Sequence, residues 1–204
     1  LVDDHNLVRA GIKQIITSYP GFEVTEAKTG QEALNQLEVN FDLIILDISL
    51  PGRSGIDILK EVKSRNPKQE VLMLSIYPED QYAIRALRAG ASGYLTKDVA
   101  PEELMIAIGK ILSGEKYIRL SLASKLIDEL DEKKKGKLIH ELLSDREYEI
   151  FCRIGNGKTI SEIGTEIFLS VKTVSTYRSR ILKKTGLKNN AEIMKYVIEN
   201  GLNV

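Results

Sequence analysis

Phe41-Asp42-Leu43-Ile44-Ile45-Leu46-Asp47-Ile48-Ser49-Leu50-Pro51-Gly52 is the stretch whose reading decides the fold of the first half of the chain. A continuous apolar run that ends in an acid and breaks at Pro-Gly reads as a strand buried on both faces, followed by a tight turn. Glu70-Val71-Leu72-Met73-Leu74 repeats the pattern, Phe22-Glu23-Val24 and Gly93-Tyr94-Leu95 read as shorter strands, and Leu1-Val2 is the stub of another. Helical periods lie between them: Leu7, Ala10, Ile15 and Ile16; Ile56, Leu59 and Val62; Ile84, Leu87 and Arg88; Leu104, Ala107, Ile108 and Ile111. Such alternation predicts an α/β fold, a doubly wound five-stranded parallel sheet with helices on both faces. Its functional crevice lies beyond the carboxyl ends of the strands.

The chain has 204 residues, with 29 basic and 29 acidic side chains and 43% hydrophobic residues, an ordinary globular mixture. The zero balance conceals an asymmetry. Residues 1–119 hold 14 basic and 17 acidic side chains, 120–140 hold 5 and 4, and 141–204 hold 10 and 8. Within the last part, residues 172–188 hold six basic side chains and no acid. One cysteine, Cys152, excludes a disulfide framework and a Cys-based zinc site, and reads as a small core residue. Two histidines, His5 and His140, argue against a His-rich metal site. No apolar run approaches the roughly 18 residues of a membrane helix, so a cytoplasmic location is expected. The chain opens at Leu1 without an initiator Met, so residues before it are expected.

The second half lacks a strand pattern. Ser144-Asp145-Arg146-Glu147 and Thr159-Ile160-Ser161-Glu162 are capping boxes, and Ser170 and Asn190 are further candidate N-caps. Gly155, Gly157, Gly186 and Gly201 fall where helices should stop. This predicts an all-α domain of four helices over residues 141–204. Between the halves, residues 121–131 read as a helix and Lys133-Lys134-Lys135-Gly136-Lys137 as a solvated linker.

A parallel sheet brings every strand-end side chain to one edge. Asp3 and Asp4 end the first strand, Asp47 and Ser75 end two others, and Lys97 follows Tyr94-Leu95. Three carboxylates, a hydroxyl and an ammonium thus converge. Clustered carboxylates repel unless a cation sits among them. Carboxylate and carbonyl oxygens are the ligands Mg²⁺ prefers. A phosphoryl group arriving there would be neutralised by the metal and Lys97, with Asp47 as the nucleophile.

This set, with Leu46-Asp47-Ile48-Ser49-Leu50-Pro51-Gly52 as its most specific part, resembles the flavodoxin-like receiver domains of bacterial two-component response regulators over residues 1–119. The resemblance implies that Asp47 accepts a phosphoryl group from a sensor histidine kinase. It implies that Asp4, Asp47 and the Ser49 carbonyl hold Mg²⁺ directly, with Asp3 acting through water. It gives Lys97 and Ser75 the phosphoryl oxygens, and makes Tyr94 an aromatic switch that follows Ser75. Ser49 and Tyr77 stand where the family tunes loss of the phosphoryl group. Asp98 follows Lys97 where many receivers have proline, often after a cis peptide.

Residues 171–185 read as a helix with Val171, Val174, Ile181 and Leu182 on one side. Lys172, Ser175, Thr176, Ser179, Arg180 and Lys183 lie on the other. A merely solvated helix normally mixes signs. Phe168-Leu169-Ser170 joins this helix to residues 159–167 by a turn of helix-turn-helix size. Residues 143–150 and 171–177, with Ser170-x-x-Thr173-Val174 and Arg146-Glu147, resemble the LuxR-type helix-turn-helix domain. The whole chain is similar to response regulators of the NarL/FixJ family. The resemblance implies that Ser175, Thr176 and Ser179 face bases of double-stranded DNA. It assigns Lys172, Thr173, Tyr177, Arg178, Arg180 and Lys183 to the DNA backbone. It also implies a homodimer on a two-fold operator, paired through the helix at residues 191–200. Gly164 stands where the scaffold helix usually has Ala.

Two other readings compete. One is a DNA-binding protein whose receiver serves only for protein interaction, and it should bind no Mg²⁺. The other is an aspartyl-phosphate phosphatase, which needs a substrate pocket and acid–base groups that the sequence does not signal. A nucleotide-binding enzyme is disfavoured, since neither G-x-G-x-x-G nor G-x-x-x-x-G-K-[ST] occurs.

Overall fold

In the computed structural model, which describes residues 1–119 and 138–202, the apolar run ending at Asp47 is strand β1 (Ile44–Asp47), buried throughout. Strands β2 (Val71–Ser75) and β3 (Gly93–Thr96) follow, and the three form a parallel sheet in the order β1-β2-β3. The register sets Asp47 opposite Leu74 and Ser75 opposite Thr96.

The first two expected strands reduce to single bridge positions. Val2 pairs in parallel with Ala27 on one side and Leu46 on the other. Val2 N donates to Ile45 O at 2.8 Å, and Asp47 N donates to Val2 O at 2.9 Å. Phe22-Glu23-Val24 is not a strand. Phe22 and Val24 are partly buried against the core, which accounts for their apolar pattern, but the sheet pairing falls at Ala27. A bridge that no sequence pattern signals sets Tyr117 beside Gly93.

Helices α1 (Asn6–Thr17) and α5 (Pro101–Leu112) cover one face. Ile12, Ile16, Leu104, Ala107, Ile108 and Ile111 pack there against Ile45, Leu72, Leu74 and Leu95. The expected face of α1 is corrected. Leu7 is 87% exposed and Ala10 is exposed, because Val8, Ile12 and Ile16 form the i, i+4, i+8 stripe. Alternation along the strands sends their other side chains to the opposite face, which α2 (Gly30–Asn35), α3 (Gly55–Arg65) and α4 (Glu79–Arg88) cover. Ile56, Leu59 and Val62 are buried as expected. On α4, Tyr82, Ala83, Ile84 and Ala86 are buried, and Arg88 is exposed. Helices on both faces explain why the strands are apolar at every position.

The turn after Asp47 is held by backbone. Gly55 N donates to Ile48 O at 2.7 Å, and Ser54 caps α3 by accepting from Ile56 N. A Cβ at Gly55 would lie 1.9 Å from the Asp47 carbonyl oxygen, so only glycine fits. Every described peptide bond is trans, Lys97–Asp98 included.

The chain divides into two compact units, Leu1–Ala123 and Ser124–Val204. The expected helix at 121–131 and the linker run at 133–137 lie outside the described residues. In the second unit a 3-10 turn (Ile139–Leu142) precedes four helices: α6 (Asp145–Gly155), α7 (Ile160–Glu166), α8 (Val171–Thr185) and α9 (Asn190–Glu199). Both expected capping boxes form. Ser170 caps α8, and Gly186 ends it in the left-handed region. The cap of α9 is Asn189, not Asn190: Asn189 Oδ1 accepts from Glu192 N, while Asn190 Oδ1 accepts from Arg178 Nε. Gly155 has a packing role as well, since a Cβ there would lie 2.4 Å from Val197 Cγ2. Tyr148, Phe151, Cys152, Ile163, Val174, Ile181, Ile193 and Val197 form the buried interior.

Two glycine-to-alanine changes in the first unit should separate packing from propensity. Gly55→Ala should lower its stability by about 2 kcal/mol or more, because backbone must move. Gly109→Ala, where a Cβ meets nothing within 4 Å, should raise it by up to about 1 kcal/mol. Urea unfolding of the full chain followed by circular dichroism reads both.

Candidate functional site

The carboxyl edge of the sheet gathers the expected residues. Asp47 is 2% exposed and Asp3 1%. Lys97 Nζ lies 2.6 Å from Asp47 Oδ2 and 2.7 Å from Asp3 Oδ2. Its contact with Asp47 is a directed hydrogen bond, while that with Asp3 is an ion pair without hydrogen-bond alignment. Asp47 Oδ1 accepts from Ser49 N at 3.1 Å, and Asp3 Oδ1 accepts from His5 N at 2.8 Å. Burial pushes the Asp47 carboxyl up against the opposing pull of Lys97, and the Asp3 carboxylate pushes the same way. Burial alone would lower Lys97, but Asp47 and Asp3 outweigh it and hold the ammonium above its usual range.

The donor set fits a hard divalent cation. Asp3, Asp4, His5 and Asp47 each offer one ligand atom, and these atoms lie within 4.8 Å of one another. Asp4 Oδ1 is a buried carboxylate oxygen with no hydrogen-bond partner. An unsatisfied buried carboxylate oxygen beside two further carboxylates is costly, and a cation relieves that cost.

Ser75 is fully buried, and its Oγ accepts from Tyr77 N at 3.0 Å. Tyr94 is 2% exposed, and its hydroxyl donates to Tyr77 O at 2.9 Å. The loop after β2 is thereby tied to β3. Lys97 N donates to Ser75 O at 2.7 Å, a second link between these segments. At the start of α4, Glu79 pairs with Arg119 at 3.1 Å, and Arg119 also pairs with Glu103 of α5 at 2.7 Å.

Sequence reasoning does not single out Arg9. It is 7% exposed, donates to Asp3 O at 2.8 Å, and pairs with Glu26 at 2.9 Å. It thus fixes the backbone that carries Asp3. The only signal is an arginine one position from the apolar stripe of α1.

In the second unit, Lys172, Ser175, Thr176, Ser179, Arg180 and Lys183 are exposed on α8, as the sequence predicts. Thr173, Tyr177 and Arg178 are half-buried, and Arg178 is engaged by Asn190. Val174 and Ile181 face inward, but Val171 is 53% exposed. Arg146 and Glu147 orient this helix from both ends. Arg146 donates to Ile167 O at 3.0 Å, just before the turn into α8. Glu147 pairs with Lys184 in the last turn of α8 at 2.6 Å. Burial raises the Glu147 carboxyl, but bonds from Lys184 and Ser144 more than offset this and hold it below the usual range. Glu149, fully buried, joins Arg146 at 2.5 Å and Arg153 at 2.9 Å. Its signal in the sequence is the i, i+3 and i, i+4 spacing to two arginines.

The profile described as response regulator receiver domain matches residues 1–109. That described as bacterial regulatory proteins, luxR family, matches residues 141–197. Response regulator UvrY of Escherichia coli (strain K12) is 34% identical over 204 residues, 99% of this chain and 94% of its own length. The chain belongs to the two-component response regulators of the NarL/FixJ family. It joins a receiver domain to a LuxR-type DNA-binding domain.

Solved structures agree with this regulator's fold. A LuxR-family two-component response regulator from Aurantimonas sp. SI85-9A1 covers 64% of it and 95% of its own chain, with a TM-score of 0.59 and 34% identity. RcsB from Salmonella enterica serovar Typhimurium, solved bound to a promoter, covers 96% of the regulator and 95% of its own chain. Its TM-score is 0.62, and at 24% identity it speaks to the fold. Among the described residues, no helix is long and apolar enough to cross a membrane. Gly164 of this regulator is closely approached: a Cβ there would lie 2.7 Å from Leu169 O, in the turn where Phe168 takes φ 54.

Glu149 should prove to be the residue on which the DNA-binding unit depends most. Glu149→Ala leaves the buried Arg146 guanidinium without a carboxylate and Arg153 with Glu166 alone, and should lower that unit's stability by about 3–5 kcal/mol. Lys195→Ala removes an exposed pair with Glu199 and should leave the unfolding midpoint unchanged. Thermal unfolding of both variants beside the wild type makes the comparison.

Proposed function

We propose that this regulator controls transcription through Mg²⁺-dependent phosphorylation of Asp47 by a sensor histidine kinase. The observation that carries the reading is Lys97 Nζ, within 2.7 Å of both Asp3 and Asp47, beside a buried Asp4 oxygen with no hydrogen-bond partner.

Asp4, Asp47 and the Ser49 carbonyl would hold the ion directly, and Asp3 through water. When bound, Mg²⁺ offsets the charge that gathers on the phosphoryl oxygens. An Asp47 carboxylate oxygen attacks phosphorus, the new O–P bond forms, and the P–N bond to the kinase imidazole breaks. Its electron pair returns to that nitrogen. Lys97 meets the negative charge of the new phosphoryl group. Ser75 Oγ turns from Tyr77 N to bond the phosphoryl group. Tyr94 then responds, because its hydroxyl is bonded to the same loop at Tyr77 O. Water later hydrolyses the acyl phosphate and restores the carboxylate. Self-phosphorylation from a small phosphodonor and this slow self-hydrolysis are the only chemistry assigned to the chain.

The change at Ser75 and Tyr94 biases a two-state surface. It reaches the DNA-binding half as a homodimer forms on a two-fold operator. In this reading residues 1–119 are the receiver, 120–140 the linker and 141–204 the DNA-binding domain. Ser175, Thr176 and Ser179 meet base edges, where short hydroxyls suit the major groove. Lys172, Thr173, Tyr177, Arg178, Arg180 and Lys183 hold the DNA backbone. The protein acts in the cytoplasm, where its kinase and its DNA meet.

Intact mass after incubation with Mg²⁺ and acetyl phosphate tests the switch. The wild type should gain one phosphoryl group and Asp47→Asn none. A wild type that gains none would leave the reading of the receiver as an interaction module. On the DNA side, Lys183→Ala should weaken binding to specific and random duplexes alike. It should also reduce the slope of log K against log salt by about 1. A fluorescence anisotropy series at several salt concentrations measures both.

A further inference from the structure

His5 has no task in the reading above. It stands at the N-cap of α1 but makes no side-chain cap bond. Its ring is turned toward the acidic crevice: Nδ1 lies 2.9 Å from Asp4 Oδ1 and 3.4 Å from Asp3 Oδ1. Asp4 Oδ1 nevertheless has no aligned hydrogen-bond donor. His5 Nδ1 and Asp4 Oδ1 thus stand at contact distance without hydrogen-bond alignment, and a cation held by both atoms would satisfy them. Asp3 adds a second observation. It is 1% exposed, and its Oδ2 takes an ion pair but no directed hydrogen bond. One atom each of Asp3, Asp4, His5 and Asp47 falls within 4.8 Å of the others. That span is close to twice the roughly 2.0–2.2 Å bond length of a first-row transition ion to nitrogen or carboxylate oxygen.

We propose that His5 Nδ1 is a nitrogen ligand in this crevice for a divalent transition ion of the Ni²⁺, Co²⁺ and Zn²⁺ class. The inference rests on the metal reading under Proposed function and extends it to the choice of ion. Mg²⁺ takes oxygen ligands and keeps its waters, so it gains nothing from an imidazole. Ni²⁺, Co²⁺ and Zn²⁺ accept imidazole readily. The crevice therefore offers these ions one more protein ligand than it offers Mg²⁺, and they compete for the same carboxylates. The ring is 61% exposed, so it reaches an ion at the mouth of the crevice without repacking of the core.

Isothermal titration of the untagged full-length chain with NiCl₂ and, separately, MgCl₂ tests this on the wild type, His5→Ala and His140→Ala. The first variant should lose about tenfold or more in Ni²⁺ affinity, while its Mg²⁺ affinity changes by less than about twofold. Replacing His140, the chain's other histidine, should change neither. With Co²⁺ as the probe, His5→Ala should alter the visible absorption of the bound ion. Equal weakening of Ni²⁺ and Mg²⁺ by His5→Ala would overturn the inference, because His5 would then act only by orienting Asp4. Unchanged Ni²⁺ affinity, or its loss in the His140 variant instead, would overturn it as well. A wild type that binds no Mg²⁺ would refute the metal reading under Proposed function, a result distinct from these.

Discussion

A single ammonium group, Lys97 Nζ, holds two carboxylates together at the edge of the sheet, 2.6 Å from Asp47 and 2.7 Å from Asp3. All three side chains are 8% exposed or less. Charges taken this far out of water are tolerated only when paired, and loss of one partner leaves the others uncompensated. The rest of the first unit arranges this contact. The register of β2 against β3 sets Ser75 opposite Thr96 and so places Lys97 one residue beyond. The bridge of Val2 to Leu46 sets Asp3 beside Asp47, and Arg9 anchors the Asp3 carbonyl. Gly55 lets the chain turn back against the Asp47 carbonyl without a side chain in the way. With two buried carboxylates sharing one ammonium and Asp4 beside them, the crevice keeps an excess of negative charge that suits a cation.

The second unit uses the same device with the signs reversed. Glu149 is the buried carboxylate between two guanidinium groups, Arg146 and Arg153. Arg146 reaches from this centre to Ile167 O, and neighbouring Glu147 takes Lys184. The acids of α6 thus turn inward or toward the end of α8. The cations of the exposed face of α8 carry no acid among them. The overall charge of zero conceals an acidic crevice in one unit and a basic helix in the other.

Much of this is legible in the chain itself. Apolar runs of strand length ending in Asp47 and Ser75 predict a parallel sheet with those residues at one edge, because strand direction alone decides which end a terminal residue occupies. The capping boxes at Ser144 and Thr159 are local, and they form as read. The outward face of α8 follows from its helical period. Less legible are features fixed by contacts distant in sequence. Phe22 and Val24 look like strand residues because the core buries them, yet pairing falls at Ala27. Leu7 looks like a core residue by type but lies outside the stripe that packs.

The sequence by itself determined the strand–helix order, the set of charged residues at the sheet edge and the acid-free basic helix. These follow from local period, local caps and residue chemistry. Only the tertiary structure decided which oxygen Lys97 bonds and which buried arginine supports Asp3. It also decided that Glu147 meets Lys184 and that Arg146 reaches Ile167 O. Such choices depend on atoms brought within about 3 Å from distant parts of the chain, a scale that periodicity along one segment does not encode.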